Sequence, residues 1–218
     1  YNTCGVSPTA SNVITVVVGN GSVAGTMSSA QTICSGTSPQ DLTLTGYTGT
    51  IQWQSSINNS AFNNINGATA AVLTSAQMGA LTTNTYYRAV VKSGSCTEAN
   101  STSVLITISP VPSLASVSQP AAACAGSPAR MKLTGLLPGS TSTITYSIDG
   151  VAQTPITGIA ADASGEGFFE TAVLTAANNG KTLRVISVTT TSATPNCTST
   201  VNRDVTLNVN AYSVGGTV

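Results

Sequence analysis

Apolar and polar residues alternate along most of this chain, with apolar side chains at every second position of many short segments. Residues 104–108 and 205–209 show the pattern clearly, and a period of two is that of a β-strand with one buried face. The Asp-Gly pair at residues 149–150 separates two such segments and predicts a two-residue hairpin. Helical periodicity is confined to residues 75–81 and 175–179, and each predicts one short turn of helix between strands.

The alternation predicts about seven strands in each of two successive stretches of the chain. In the first stretch, strands are predicted near residues 26–33, 41–46, 50–56, 61–65, 70–74, 84–92 and 101–109. In the second stretch, they are predicted near residues 113–119, 130–135, 143–149, 151–157, 167–174, 181–190 and 201–210. About seven strands in roughly 100 residues are typical of an immunoglobulin-like sandwich. The predicted fold is therefore all-β, with tandem immunoglobulin-like antiparallel β-sandwiches arranged end to end.

The chain also repeats itself. Residues 71–76 (AVLTSA) recur as residues 172–177 (AVLTAA), and residues 22–26 (SVAGT) recur as residues 213–217 (SVGGT). A period of this size corresponds to a whole domain rather than to one turn of a solenoid. The predicted organisation is the C-terminal β-hairpin of a preceding repeat (residues 1–21), an Ig-like repeat (22–110), a second repeat of related pattern (111–210) and the start of the next repeat (211–218).

The predicted connection between the two complete repeats is short and contains proline. Residues 109–112 read Ser-Pro-Val-Pro. Two prolines in four residues favour an extended backbone and remove hydrogen-bond donors. The sequence therefore predicts neighbouring repeats that stand end to end with restricted bending.

Composition excludes several classes of function. The chain has seven basic and seven acidic residues, no net charge and no histidine, so it lacks the basic surface that nucleic acids or acidic membranes require. Without histidine, a serine nucleophile would need Lys92, Lys132 or Lys181 as its base, and no motif places one. The acidic residues are scattered and differ between the repeats, so the sequence shows no pair of carboxylates of the kind that glycoside hydrolysis requires. The prediction is a protein that is not an enzyme and that has no cofactor.

Cysteines occupy matching places in the two repeats. Cys34 and Cys124 open the repeats, and Cys96 and Cys197 lie in or just after the hairpin that joins the last two predicted strands. Pairing within each repeat predicts the disulfides Cys34–Cys96 and Cys124–Cys197, leaving Cys4 with a partner upstream. A zinc site is disfavoured by the absence of histidine and of a close cysteine pair, and no C-x-x-C indicates redox catalysis. Disulfides indicate an oxidising, extracytoplasmic setting.

Geometry leaves a second pairing open. In a standard sandwich, the loop after the first strand and the last hairpin lie at opposite poles, whereas bridged Cα atoms must lie within about 7 Å. Cys34 reaches Cys96 only if the first strand is short or displaced. The alternative is pairing between adjacent repeats, as Cys34–Cys197 or Cys96–Cys124.

The densest group of acidic residues contains Asp162, Glu166 and Glu170, with Asp149 nearby in sequence. Residues 162–167 lack the D-x-D-x-D-G pattern of dense calcium loops. We therefore predict a turn and a solvated strand face here and no metal site, with calcium as the alternative.

The aromatic and arginine residues favour structural roles. Trp53, the single tryptophan, alternates with apolar residues on the third strand, where immunoglobulin-like sandwiches bury an aromatic side chain. Tyr86 and Tyr87 must point to opposite faces, so at most one of them is in the core. Arg88 and Arg184 occupy matching places and are predicted to make an ion pair or a stacking contact on the strand surface.

Several segments resemble a known family of repeats. Residues 51–56 (IQWQSS), 62–69 (FNNINGAT) and 81–96 (LTTNTYYRAVVKSGSC) resemble the Ig-like repeats of giant Bacteroidota surface proteins. Residues 145–150 (TYSIDG) and 163–167 (ASGEG) resemble a PKD-like repeat of the same proteins. The resemblance implies a stalk or adhesin at the bacterial cell surface, exported by type IX secretion, with gliding-motility and attachment proteins among its hosts.

The sequence therefore predicts a disulfide-linked, rigid spacer in a secreted or cell-surface adhesin or filament. Its expected partners are the neighbouring repeats of the same chain, with surface polysaccharide or other cells as further candidates. The alternative function is a ligand-binding module that recognises carbohydrate or a surface within a secreted multidomain protein.

Overall fold

The computed structural model describes residues 20–211 of the chain, and strands account for nearly all of its regular structure. Helical structure among these residues is limited to helix α1 (Ser75–Met78) and one 3₁₀ turn (Ala176–Asn178). Both lie where the sequence predicts a single turn between strands, so that prediction is confirmed. Residues 1–19 and 212–218 lie outside the described part, and the predicted hairpin and the predicted start of a further repeat stay predictions.

The first sandwich is formed by nine strands. They are β1 (Thr26–Met27), β2 (Gln31–Cys34), β3 (Leu42–Thr45), β4 (Thr50–Ser56), β5 (Asn63–Asn64), β6 (Val72–Leu73), β7 (Thr85–Lys92), β8 (Ala99–Asn100) and β9 (Val104–Ser109). One sheet has the order β1-β3-β6, and the other has the order β2-β9-β7-β4-β5, with β8 paired to β7. The strands pair antiparallel except for β2, which lies parallel to β9.

The second sandwich repeats this arrangement with ten strands. They are β10 (Ser116–Ser118), β11 (Ala123–Cys124), β12 (Arg130–Thr134), β13 (Thr141–Ile148), β14 (Val151–Ala152), β15 (Ile156–Ala160), β16 (Gly167–Glu170), β17 (Thr182–Thr190), β18 (Thr198–Thr206) and β19 (Val209–Asn210). Its sheets are β10-β12-β16 and β14-β13-β17-β18, with β15 paired to β13, and β11 lies parallel to β19. Two packed sheets in this order define an immunoglobulin-like sandwich, which confirms the predicted all-β class.

The start of the first sandwich differs from the prediction of one continuous first strand. The predicted strand at residues 26–33 is divided into β1, which pairs with β3, and β2, which pairs with β9 in the other sheet. The chain thus crosses from one sheet to the other between Met27 and Gln31. As a result, β2 runs beside the last strand and ends level with it.

Each sandwich buries its own apolar core, and the predicted inward faces are confirmed. Trp53 is fully buried, and its indole Nε1 donates a hydrogen bond to the carbonyl oxygen of Ala70 at 2.8 Å. Tyr146 occupies the core of the second sandwich. Tyr87 is buried and Tyr86 is half-buried, as expected for neighbouring strand residues on opposite faces. Burial raises the pKa of the Tyr87 hydroxyl.

The strands that carried the clearest alternation also face the cores. Ile106 and Leu207 are buried, and the apolar residues two positions away from each pack against the same core. The hairpin at residues 149–150 is confirmed as well, because Asp149 and Gly150 both have positive φ (51° and 82°) between β13 and β14. Positive φ at both central residues is the geometry that favours an Asp-Gly pair.

Candidate functional site

A disulfide bond crosses the junction between the two sandwiches. It joins Cys34 to Cys197, which are 163 residues apart in sequence and have Cα atoms 5.6 Å apart. The predicted disulfides Cys34–Cys96 and Cys124–Cys197 are therefore wrong, and the alternative pairing between adjacent repeats describes this bond. Within residues 20–211, Cys96 and Cys124 form no disulfide, and Cys4 lies outside the described residues.

The crossing of the first strand explains why Cys34 cannot reach Cys96. Cys34 ends β2 and is level with Ser109 at the end of β9, so it lies at the C-terminal pole of the first sandwich. Cys96 lies beyond the end of β7, a strand that runs antiparallel to β9, and is therefore at the N-terminal pole. The eight residues of β7 span roughly 27 Å, far beyond the separation that a disulfide allows.

Cys197 approaches the same pole from the second sandwich. It lies in the loop between β17 and β18, its side chain is 1% exposed, and its Sγ is 4.0 Å from the carbonyl oxygen of Ser109. Strand β18 binds the connection directly: the Ser199 hydroxyl donates to the Pro112 carbonyl oxygen, and the Arg203 Nε donates to the Leu114 carbonyl oxygen at 3.0 Å. The junction is therefore held by one covalent bond and by hydrogen bonds to the connecting segment.

Peptide mapping without reductant tests this pairing directly. In a Cys4→Ser chain, we expect a peptide that links Cys34 to Cys197, together with alkylated thiols at Cys96 and Cys124. Alkylation of Cys124 should be the faster because Cys124 is exposed, whereas Cys96 is half-buried. A peptide that links Cys34 to Cys96 would contradict the structure.

Both arginines in matching places make the kinds of contact that the sequence predicts. Arg88 places its guanidinium carbon 4.0 Å from the centre of the Phe62 ring. Arg184 donates two hydrogen bonds to the carboxylate of Asp204, at 2.7 and 2.8 Å. This pairing raises the pKa of Arg184 and lowers that of Asp204. The two side chains thus act as surface contacts between neighbouring strands or loops.

The acidic residues near position 162 form a turn, as predicted, and do not converge on a cation site. Oδ1 of Asp162 accepts hydrogen bonds from the Ser164 N–H, the Ser164 hydroxyl and the Glu166 N–H, at 2.7–2.9 Å. Glu166 pairs with Lys132 at 2.6 Å, and Asp149 lies 3.9 Å from Lys181. Among residues 20–211, no three cysteine or acidic side chains are grouped as metal ligation would require.

The hydrogen bonds in this turn predict that the stability of the fold depends on the ionisation of Asp162. Hydrogen bonds from the backbone of Glu166 and from the side chain of Ser164 hold the pKa of Asp162 below its usual value. The ionised carboxylate therefore stabilises the folded chain at neutral pH, and this contribution is lost as the pH falls through the folded-state pKa. We expect Asp162→Asn to lower the urea midpoint at pH 7 and to match the wild-type chain at the acid end of the titration. Millimolar calcium should leave the Asp162 titration, followed by NMR, unchanged.

The described residues contain no helix that is both long enough and apolar enough to span a membrane.

A family model described as a domain of unknown function (DUF8696) matches residues 23–110, which is less than half of the chain. No curated protein sequence matches the chain.

Solved structures of multidomain proteins are similar to this chain at low sequence identity. A titin fragment of domains I67–I69 is 10% identical, with 86% of this chain and 64% of that fragment covered and a TM-score of 0.46, so the chain spans less than two thirds of it. A marsupial T cell receptor is 10% identical (85% and 72% covered, TM-score 0.48). Fibronectin(III)-like modules of Clostridium thermocellum CbhA are 13% identical (83% and 90% covered, TM-score 0.32). These TM-scores lie below 0.5, and the fold assignment rests on the strand order described above.

Proposed function

We propose that this chain is a structural segment of a secreted or cell-surface fibre, such as an adhesin stalk, and that its junction disulfide transmits tension along that fibre. The observation that carries the proposal is the Cys34–Cys197 bond. It connects a residue near the start of the first sandwich to a residue near the end of the second. Tension applied at the two ends of the chain therefore has a covalent path that omits residues 35–196, which hold most of both hydrophobic cores.

The contacts at the junction support a stiff connection. The connecting segment begins beside the disulfide at Ser109, and β18 hydrogen-bonds to it at Pro112 and Leu114. Pro112 is itself buried. Bending at this point would break these hydrogen bonds and would strain a bond that needs Cα atoms within about 7 Å.

The same bond supports a setting outside the cytoplasm, because disulfides persist in oxidising compartments and are rare where thiol reductants are abundant. The resemblance of the repeats to those of giant Bacteroidota surface proteins supports an adhesin exported by type IX secretion. Neighbouring repeats of the same chain are the proposed partners.

Small-angle scattering tests the spacer function. We expect the oxidised chain to scatter as an elongated particle with a well-defined maximum dimension. The double variant Cys34→Ser/Cys197→Ser should keep its strand content by circular dichroism but show a broader distribution of interatomic distances. Identical scattering from the two chains would mean that the disulfide does not set the geometry of the junction.

A binding function has one observation in its favour. Phe168 is 42% exposed and lies under Arg130, with the guanidinium carbon 4.3 Å from the ring centre. An exposed aromatic side chain beside a cation is a surface on which a sugar could stack. Glycan-array binding that is lost in Phe168→Ala, and retained in an Ile57→Ala control, would favour the ligand-binding module over the spacer.

A further inference from the structure

We infer that Cys124 and Cys96 are halves of two further disulfides of the same kind as Cys34–Cys197. Cys124 would bond to the hairpin cysteine of a following repeat, and Cys96 to the first cysteine of a preceding repeat. Each repeat would then be linked covalently across every junction. This inference rests on the proposed function, because it requires flanking repeats of the same fold.

Cys124 occupies the same backbone environment in the second sandwich as Cys34 does in the first. Cys34 is in register with Ser109 at the end of the last strand, and Cys124 is in register with Asn210. The backbone N–H groups of the three residues after each cysteine donate to carbonyl oxygens in matching places. After Cys34, Ser35 donates to Ser109 (2.9 Å), Gly36 to Leu81 (2.8 Å) and Thr37 to Cys34 (3.1 Å). After Cys124, Ala125 donates to Asn210 (2.9 Å), Gly126 to Leu174 (2.8 Å) and Ser127 to Cys124 (3.0 Å). Cys124 is therefore presented at the C-terminal pole in the position that Cys34 uses for bonding.

Cys96 matches Cys197 in the same way. The Sγ of Cys197 lies 4.0 Å from the carbonyl oxygen of Ser109, the last residue of the preceding sandwich's final strand. The Sγ of Cys96 lies 3.9 Å from the carbonyl oxygen of Asn20, in the segment that leads into the first sandwich. The loop that carries Cys96 also binds this segment, since the Ser93 N–H donates to the Ser22 hydroxyl at 2.9 Å. Asn20 thus corresponds to Ser109, and it occupies the position at which the last strand of a preceding sandwich would end.

Cys96 and Cys124 cannot form a disulfide with each other within one molecule. Cys96 is at the N-terminal pole of the first sandwich, and Cys124 is at the C-terminal pole of the second, so both sandwiches lie between them. Each is exposed or half-exposed, as a partner from outside requires. The recurrence of residues 22–26 as 213–217 predicts the start of a further repeat in the sequence.

Bond formation at such a junction needs a disulfide oxidant. One cysteine thiolate attacks the oxidant disulfide, forms a mixed disulfide and releases one thiol. The second thiolate then attacks the protein sulfur of that mixed disulfide and releases the other thiol. Two protein thiols lose two protons and two electrons, and the oxidant is reduced to two thiols. A thiol–disulfide oxidoreductase or a small disulfide such as oxidised glutathione supplies this step.

A tandem chain creates the missing junction from the protein's own residues. Its first copy runs from residue 1 to residue 212 and its second from residue 22 to residue 218, so that Ser22 takes the place of Ser213. With Cys4 changed to serine and oxidised glutathione as the oxidant, non-reducing peptide mapping should recover Cys124 of the first copy bonded to Cys96 of the second. Two thiols per molecule should then remain open to alkylation, rather than four.

The Cys34–Cys197 bond in each copy reports correct folding in the same digest. In a control with Cys96→Ser in the second copy alone, Cys124 of the first copy should stay a free thiol while both Cys34–Cys197 bonds persist. If both Cys34–Cys197 bonds form and Cys124 remains free or pairs between molecules, this inference is overturned and the proposed function stands. If Cys34–Cys197 is absent in both copies, the inference and the proposed function are both overturned.

Discussion

Reducing the Cys34–Cys197 disulfide is expected to lengthen the fully stretched chain by roughly 540–590 Å. The bond closes a loop of 163 residues, and an extended chain spans about 3.3–3.6 Å per residue. While the bond is intact, the covalent path passes from Cys34 to Cys197 through two sulfur atoms and omits residues 35–196. Most residues of both cores lie within this loop, whereas β1 and β2 of the first sandwich and β18 and β19 of the second lie outside it and are on the path of the force.

Single-molecule stretching in optical tweezers measures this length, with the handles joined to peptide tags at the two ends rather than to cysteines. The oxidised chain should stop extending at a short length and gain the additional length after reductant is added. Cys34→Ser/Cys197→Ser should reach the long extension without reductant, whereas Cys96→Ser/Cys124→Ser should behave as the unmodified chain. An oxidised chain that extends fully before reduction would rule out the covalent path.

Replacing Trp53 with alanine is expected to destabilise the first sandwich by about 3–5 kcal/mol, the range for truncating a large aromatic side chain in a core. Trp53 is fully buried among β-strands of both sheets, and its Nε1 is hydrogen-bonded to the carbonyl oxygen of Ala70. The substitution removes apolar contacts and leaves that carbonyl without its indole donor. A loss of this size is a large share of the roughly 5–15 kcal/mol by which a domain is stable.

Urea unfolding followed by far-ultraviolet circular dichroism measures the loss, and Ile57→Ala is the matched control. Ile57 belongs to the same sandwich but is 75% exposed, so its truncation should change the free energy of unfolding by no more than about 0.5 kcal/mol. If Trp53→Ala falls within that same range, the side chain does not support the core. In the tweezers, Trp53→Ala should leave the maximum extension of the oxidised chain unchanged, because the disulfide and not the core limits that length.

Much of the architecture could be predicted from local sequence alone. The period-two pattern at residues 104–108 and 205–209 identified the buried faces correctly, because the alternation of side chains along an extended chain is a local property. It did not show that the predicted strand at 201–210 is divided into β18 and β19, which pair with different strands. Asp149-Gly150 identified a hairpin, since the positive φ of both residues is a local requirement of a two-residue turn. Trp53 was recognised as core from its place in that alternation.

The sequence predicted the types of contact that the surface residues make, but it did not identify the residues that they contact. The turn at Asp162 could be anticipated from its short polar residues, whereas the Glu166–Lys132 pair joins residues that only the fold brings together. The same holds for Arg184 and Asp204, which lie on neighbouring strands β17 and β18.

The pairing of the cysteines depended on tertiary structure. The matching positions of Cys34, Cys96, Cys124 and Cys197 predicted disulfides in both repeats, but several connectivities were compatible with them. The residues of β2 could equally have continued β1 along β3, and the alternation of side chains would have been the same. Pairing β2 in parallel with β9 instead carries Cys34 to the pole that the second sandwich approaches. Sequence thus determined the strands, their faces and the repeat, while the choice of strand partner, which depends on residues more than seventy positions apart, decided which sulfur atoms meet.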